Sequence, residues 1–506
     1  MQSARQWAHQ QWSRVHLGDQ RLNARTLAMG LKMAEQPQAS LPEQMRQPAA
    51  LKGAYRLLNH PGVTLEHLSG PHCQQTRRQA RRRRGQVLLW VHDGTELDLE
   101  DGRQPRKRGL GPIGDGRRRG LILHSVLGVV ADTREVLGLG DVQVCLRQAP
   151  RAADAPRRPK WSRSPEGQVW VWAATQIGKP PTQRDALWVH VGDRQADMFE
   201  FVSECVTQQT HFVVRAYHNR LVPEAQLDWA PTPLPRQPPP KPQPQAQADT
   251  PTDTTTDTPA KAKRRTPNPG GVLAYARRLK PKGKRRYQVY VRAQEDQPAR
   301  TATLALSWAR VTLRASREAP QDLRALPAVQ AWVVRAWEPE PPPEAEPLEW
   351  VLLTSVPTRS WDAARRRVIW YACRPLIEDY HQCLKTGCRV ERNQFDDGAA
   401  VQRLLGFLAP IAVRLLQVRQ AARHTPMLPA RKVVDPLLVT VLVRHPDALY
   451  YGADARTLTI EQFWRAVARL GGHQGRKRDG PPGWRTLWRG YRHLSELAQG
   501  ARLMED

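Results

Sequence analysis

Apolar residues change their spacing several times along the chain. From Gln20 to Glu35 and from Ala49 to Leu58 they recur at helical intervals, with Asp19 placed as an N-cap, which predicts a helical unit over residues 1–70. Short apolar runs follow. Val87–Asp93, Gly120–Val130 and Glu135–Cys145 read as strands, Gly167–Ile177 as a helix, and Ala186–Asp193 as another strand. Arg194–Val202 reads as a helix and His211–Ala216 as a strand. Two of these strands, those ending at Asp93 and Asp193, deliver an aspartate from the carboxyl end.

Between about residues 230 and 271 the composition collapses into Pro, Gln, Thr and Asp, a solvated and disordered insert that buries no core. Glu338–Pro347 is a second proline-rich loop. Between them Tyr287–Ala293, Thr301–Leu306 and Val311–Arg314 alternate as strands, and Trp350–Ser355 reads as a buried strand. The sheet is thus interrupted by antiparallel strands before it resumes. A single helix is predicted over Tyr371–Lys385, with Pro375 in its first turn and Tyr371, Arg374, Glu378 and Lys385 along one face. Ala399–Arg419 is a long apolar helix, and helices with a basic loop at Arg476-Lys477-Arg478 complete the chain.

Charge narrows the class of partner. In 506 residues, 78 Lys and Arg outnumber 48 Asp and Glu, a net charge of +30, so an extended polyanion is expected, nucleic acid before a membrane surface. The first residues have no signal-peptide pattern, and the run from Leu404 to Val418 is broken by Pro410 and Arg414, so a soluble, cytoplasmic protein without membrane contact is expected. Six cysteines without CxxC spacing read as reduced, partly buried thiols. Arg21, Arg25 and Lys32 share one helical face and Lys52 and Arg56 another; such faces suit DNA phosphates and equally a solvated surface.

Asp93 and Asp193 at strand ends and Glu378 on a helix form the carboxylate inventory of a two-metal phosphoryl-transfer site. Oxygen ligands of this kind suit Mg²⁺ or Mn²⁺. The bland alternatives are turn-starting aspartates and an ordinary Arg374–Glu378 helix pair.

Tyr371, Arg374, Glu378 and Lys385 fit the Y-x2-R-x3-E-x6-K signature without a gap. With Asp93 in Val-His-Asp-Gly-Thr and Asp193 in Gly-Asp-Arg-Gln-Ala-Asp, the chain resembles bacterial DDE transposases of the insertion-sequence-four family, the group of the Tn-five transposase, through nearly its whole length. The resemblance extends over Leu51–Arg56, His124–Leu127, Phe212–Arg215 and Ala468–Gly472.

It implies an α/β fold: a helical end-recognition domain at 1–70, a ribonuclease H-like catalytic core at 71–400 with a β-rich insertion at about 205–350, and a helical dimerisation region at 401–506. It implies cut-and-paste transposition through a DNA hairpin, with Asp93, Asp193 and Glu378 holding two Mg²⁺ ions and Tyr371, Arg374 and Lys385 gripping phosphate. Arg215 joins the implied DNA contacts, and Trp350 stands where the family holds a flipped base; its alternative is a sheet-core tryptophan. Terminal repeats and target DNA are the implied partners, held by a homodimer in a synaptic complex. Pro375 departs from the family, replacing a second pocket tryptophan. A metal-dependent endonuclease without strand transfer, or a DNA-binding regulator of transposition, are the competing readings.

Overall fold

The computed structural model describes residues 4–100, 108–147, 165–181, 186–221, 270–291, 299–343, 345–446, 454–476 and 482–505. The predicted disordered insert lies outside them except for its last two positions, and the loop at 476–478 except for Arg476. The chain forms two compact units, one from Met1–Val214 and Ile369–Asp506, the other from Arg215–Val368.

The first unit opens with helices α1 (Ala4–Trp12), α2 (Gln20–Glu35), α3 (Leu41–Met45), α4 (Pro48–Leu58) and α5 (Leu65–Arg82). Asp19 caps α2 as its position predicts, its carboxylate accepting from Arg21 N at 2.6 Å. The Trp12 indole N–H donates to Leu68 O at 3.2 Å, tying α1 to α5. Helix α5 runs past residue 70 and carries Arg77, Arg78, Arg81 and Arg82 in its last turns.

A mixed sheet follows, made of β1 (Val87–Asp98), β2 (Gly111–Ile113), β3 (Arg118–Val130), β4 (Val136–Cys145), β5 (Leu187–Gly192) and β6 (His211–Arg215), with α6 (Pro165–Ile177) and α7 (Phe199–Thr207) between strands. β2 and β4 share one edge of β3, and the order continues through β1, β5 and β6. β1 pairs antiparallel with β3 and parallel with β5, which pairs parallel with β6. Leu88, Trp90, Val126, Val130 and Trp188 form a core with Ala173 and Ile177 of α6. Side chains alternate across β1, so Trp90 and His92 face α6 and Asp93 faces the opposite side.

The second unit carries α8 (Val272–Arg278), β7 (Tyr287–Val291), β8 (Arg300–Leu313), the one-turn α9 (Gln321–Arg324), β9 (Val329–Trp337) and β10 (Glu349–Thr354). β7, β8, β9 and β10 are antiparallel neighbours in that order. The two strands read at 301–306 and 311–314 are one, because Ser307–Arg310 keep their pairing with β9. β9 itself went unread in the sequence. Helix α10 (Trp361–Tyr371) begins in this unit and its residues from Ile369 belong to the first.

The first unit resumes with α11 (Pro375–Gln382), α12 (Gly398–His424), α13 (Pro436–Arg444), α14 (Ile460–Leu470) and α15 (Trp484–Glu505). Among the described residues, only α12 is long and apolar enough to cross a membrane, and 83% of its apolar window is buried within the protein. It is a core helix: Val418 packs with Val434, Leu438, Phe463, Trp464 and Leu487 of its neighbours. All six cysteines are buried free thiols.

Candidate active site

The stretch Tyr371–Lys385 is not one helix. α10 ends at Tyr371, and the backbone then tightens: Cys373, Arg374, Leu376 and Ile377 each donate to the carbonyl three residues back. Pro375 has no N–H to give Tyr371 O, which is taken by Arg374 N at 2.9 Å, and α11 restarts with Pro375 in its first turn. Its far end widens into a π turn, Cys383–Gly387, closed by Cys388 N to Cys383 O at 2.9 Å. The four signature residues therefore lie on three consecutive segments. Tyr371 is buried at the end of α10, Arg374 caps α11, Glu378 lies on its first turn and Lys385 in the π turn.

Asp93 also differs from its expected place. β1 continues to Asp98, because β3 pairs with it throughout, whereas the parallel pairing with β5 stops at Val91. Asp93 thus sits mid-strand, two residues past the point where one neighbour ends. Asp193 directly follows β5 and caps the 3₁₀ turn Arg194–Ala196, accepting from Gln195 N at 2.8 Å. This turn replaces the start of the expected helix, which forms only from Phe199. A Cβ on Gly192 would lie 2.4 Å from the Ala196 Cβ, so only glycine lets the turn fold this closely.

These elements gather Asp93, Asp193 and Glu378 around one guanidinium. Arg374 Nη2 lies 3.4 Å from both oxygens of Asp93 and 3.7 Å from Asp193 Oδ2, while Nη1 pairs with Glu378 Oε1. Asp93 is buried, Asp193 partly so, and the Glu378 side chain is 49% exposed. Burial pushes the Asp93 carboxyl up to about 7; Arg374 opposes this, and Asp193 and Glu378 add to it. For Arg374, burial favours the neutral form, but Asp93, Glu378 and Asp193 outweigh it and raise its pKa. The Tyr371 hydroxyl lies within electrostatic reach of the same guanidinium. Lys385 Nζ is 3.5 Å from Glu391, which also accepts from Asp98 N at 3.1 Å.

The donor chemistry, three carboxylates and no sulfur, fits a hard divalent ion. Among the described residues, however, no group of three His, Cys, Asp or Glu donors is spaced to hold a metal. The cation among the carboxylates is Arg374, and a metal can join them only if this guanidinium withdraws.

Histidines the sequence reading passed over lie on both faces of the sheet here, His381 beside the carboxylates and three others under β1 against α6. His381 Nδ1 is 3.9 Å from Asp93 Oδ2. His92 lies between His124, at 3.3 Å, and His190, at 2.8 Å, stacked on Trp170. Burial holds His92 well below its usual range and pulls His124, His190 and His381 down to about 3, so all four are neutral. The signal was available: His381 stands three residues after Glu378 on a helix, and His92 and His190 precede the two aspartates in apolar strands.

The remaining predicted residues lie elsewhere. Arg21, Lys52 and Arg56 are exposed, and the last two line an open depression with Pro48, Leu51, Tyr55 and Asn59. Lys32 donates to Met45 O at 3.1 Å and Arg25 packs over Gly53, so both serve the helical unit itself. Arg215 and Trp350 belong to the second unit. Arg215 donates to Glu349 O at 3.2 Å, and Trp350 is half-buried on β10 opposite Ala336.

Residues 4–63 match the family described as Transposase DNA-binding, and residues 411–506 match Transposase Tn5 dimerisation domain. The two matches support a Tn5-like transposase that binds DNA and forms a homodimer, one segment at each end of the chain and the carboxylate cluster between them.

Proposed function

We propose that the protein is a DDE transposase of the insertion-sequence-four family that cuts its transposon ends and joins them to target DNA by phosphoryl transfer on a ribonuclease H-like core. The observation that carries this reading is the convergence of Asp93, Asp193 and Glu378, from β1, the end of β5 and α11, on Arg374.

In this reading Arg374 is a resident cation that releases the carboxylates when a DNA phosphate enters. Its guanidinium then takes the phosphate, with Tyr371 behind it and Lys385 on the adjoining turn. Asp93, Asp193 and Glu378 are left to hold two Mg²⁺ ions, or Mn²⁺ in their place. A metal held by these three carboxylates would supply Lewis-acid activation of water and positive charge against the phosphate. His381, neutral, lies beside Asp93. The freed 3′-hydroxyl attacks the opposite strand to give a hairpin, with Trp350 holding the displaced base, and after reopening it attacks target DNA. The exposed Lys52 and Arg56 of α4 contact terminal-repeat phosphates, and residues 411–506 pair two copies in the synaptic complex.

The test uses end-labelled DNA carrying the sequences that flank the coding gene, incubated with protein and Mg²⁺. The reading expects nicked, hairpin and target-joined products in that order. Nicked product alone, with no hairpin and no joining, would favour the endonuclease reading.

A further inference from the structure

Glu378 and Asp379 are neighbours in the chain with opposite surroundings. Glu378 turns to Arg374 and is half-exposed, whereas Asp379 is buried at 6% exposure on the other side of α11. Its carboxylate accepts from the Trp484 indole N–H at 3.2 Å and lies 3.6 Å from Arg419 Nη1. The Arg419 guanidinium in turn lies 3.8 Å over the Trp484 ring, which stacks on Trp488 at 5.4 Å. Trp488 reaches the π turn: a Cβ on Gly387 would approach its ring to 3.0 Å. Arg419, Trp484 and Trp488 all fall inside the segment that matches the dimerisation family.

A buried carboxylate is costly unless its partners are well placed, and apolar residues of similar volume would hold the same helices together at least as firmly. What an aspartate held by a directional indole N–H bond and a buried ion pair adds is a fixed rotation and height of α11 against α12 and α15. That rotation aims Glu378, one residue away. We infer that Asp379 is a positioning residue: with Arg419 and Trp484 it sets the orientation of the helix that carries Glu378, so that the carboxylate site is aligned from the C-terminal helices. This rests on Glu378 acting in strand cleavage as proposed above.

The test compares full-length Asp379→Asn and the paired apolar replacement Asp379→Leu with Arg419→Met, with Glu378→Gln as a control. Plasmid nicking in Mg²⁺ is measured as kcat and KM, and amide hydrogen exchange is followed across α11 and the π turn without metal or DNA. Positioning predicts that the pair melts like the wild type yet loses about tenfold or more in kcat, with KM for DNA within about twofold, because small misplacements of a reacting group are expensive in rate. It also predicts faster exchange over residues 375–387 in both variants and unchanged exchange over β5. A pair that turns over like the wild type, or exchange in 375–387 that does not move, overturns the inference and leaves a merely structural ion pair. Full nicking by Glu378→Gln would instead refute the functional reading, while the exchange result would still report on α11.

Discussion

Replacing Asp93 by Asn tests the electrostatics of the cluster without any DNA. Burial pushes the folded Asp93 carboxyl up to about 7, against 3.8 for the side chain in water. Between those two values the folded protein binds a proton that the unfolded chain has released, so this group makes stability fall as pH rises from about 4 to about 7 and stay low above it. At about 1.4 kcal/mol per unit, the ceiling on this burden is about 4 kcal/mol at pH 8, and relaxation of the site brings it lower. Asn has no charge to bury, and Arg374 keeps Asp193 and Glu378 as partners. Thermal unfolding in EDTA should therefore show Asp93→Asn stabilised relative to the wild type by up to about 4 kcal/mol at pH 8 and by no more than about 1.6 kcal/mol at pH 5. Adding Mg²⁺ at pH 8 should raise the melting temperature of the wild type and leave that of the variant in place, since metal competes with the proton for the same oxygens. A variant no more stable than the wild type at pH 8, or equally stabilised at both pH values, would refute the buried-charge argument.

Arg374→Ala removes the cation shared by three carboxylates, so at pH 8 in EDTA it should melt below the wild type, and Mg²⁺ should recover most of the loss because the ion can take the vacated position; differential scanning in the two buffers decides it. For Trp350→Ala, first-strand nicking should proceed normally while hairpin formation falls, read on a denaturing gel, and undiminished hairpins would return this residue to a packing role on β10. Lys52→Ala with Arg56→Ala should weaken binding to terminal-repeat DNA and lower the slope of log affinity against log salt by up to about two, one per lost phosphate contact, measured by fluorescence anisotropy across a salt series.

Much of this arrangement was legible in the residues because it is carried by local rules. Asp19 names the start of α2, and the apolar runs name the strands that bring Asp93 and Asp193 to one region. The family signature named Arg374 and Glu378, whose side chains do pair. Less legible was what depends on hydrogen-bond partners distant in sequence. The extension of β1 past Asp93 follows from β3, not from its own alternation, and the merging of two short strands into β8 follows from β9. The break between α10 and α11 is set by Pro375 acting against Tyr371, four residues earlier, a local signal read as a helix start without its converse, a helix end. The roles of Asp379 and His381 needed the opposite sides of α11 to be seen, since a helical spacing gives the faces but not what covers them.

In the proposed mechanism three carboxylates, released by Arg374, hold metal for DNA strand cleavage. Asp193 tests it most directly, because it lies at the end of β5 and not inside the core of the sheet. Full-length Asp193→Ala, folded by its melting curve and able to shift end DNA in a gel, should leave supercoiled plasmid carrying the flanking repeats uncut in Mg²⁺, where the wild type nicks it. Nicking by Asp193→Ala at the wild-type rate would contradict the assignment.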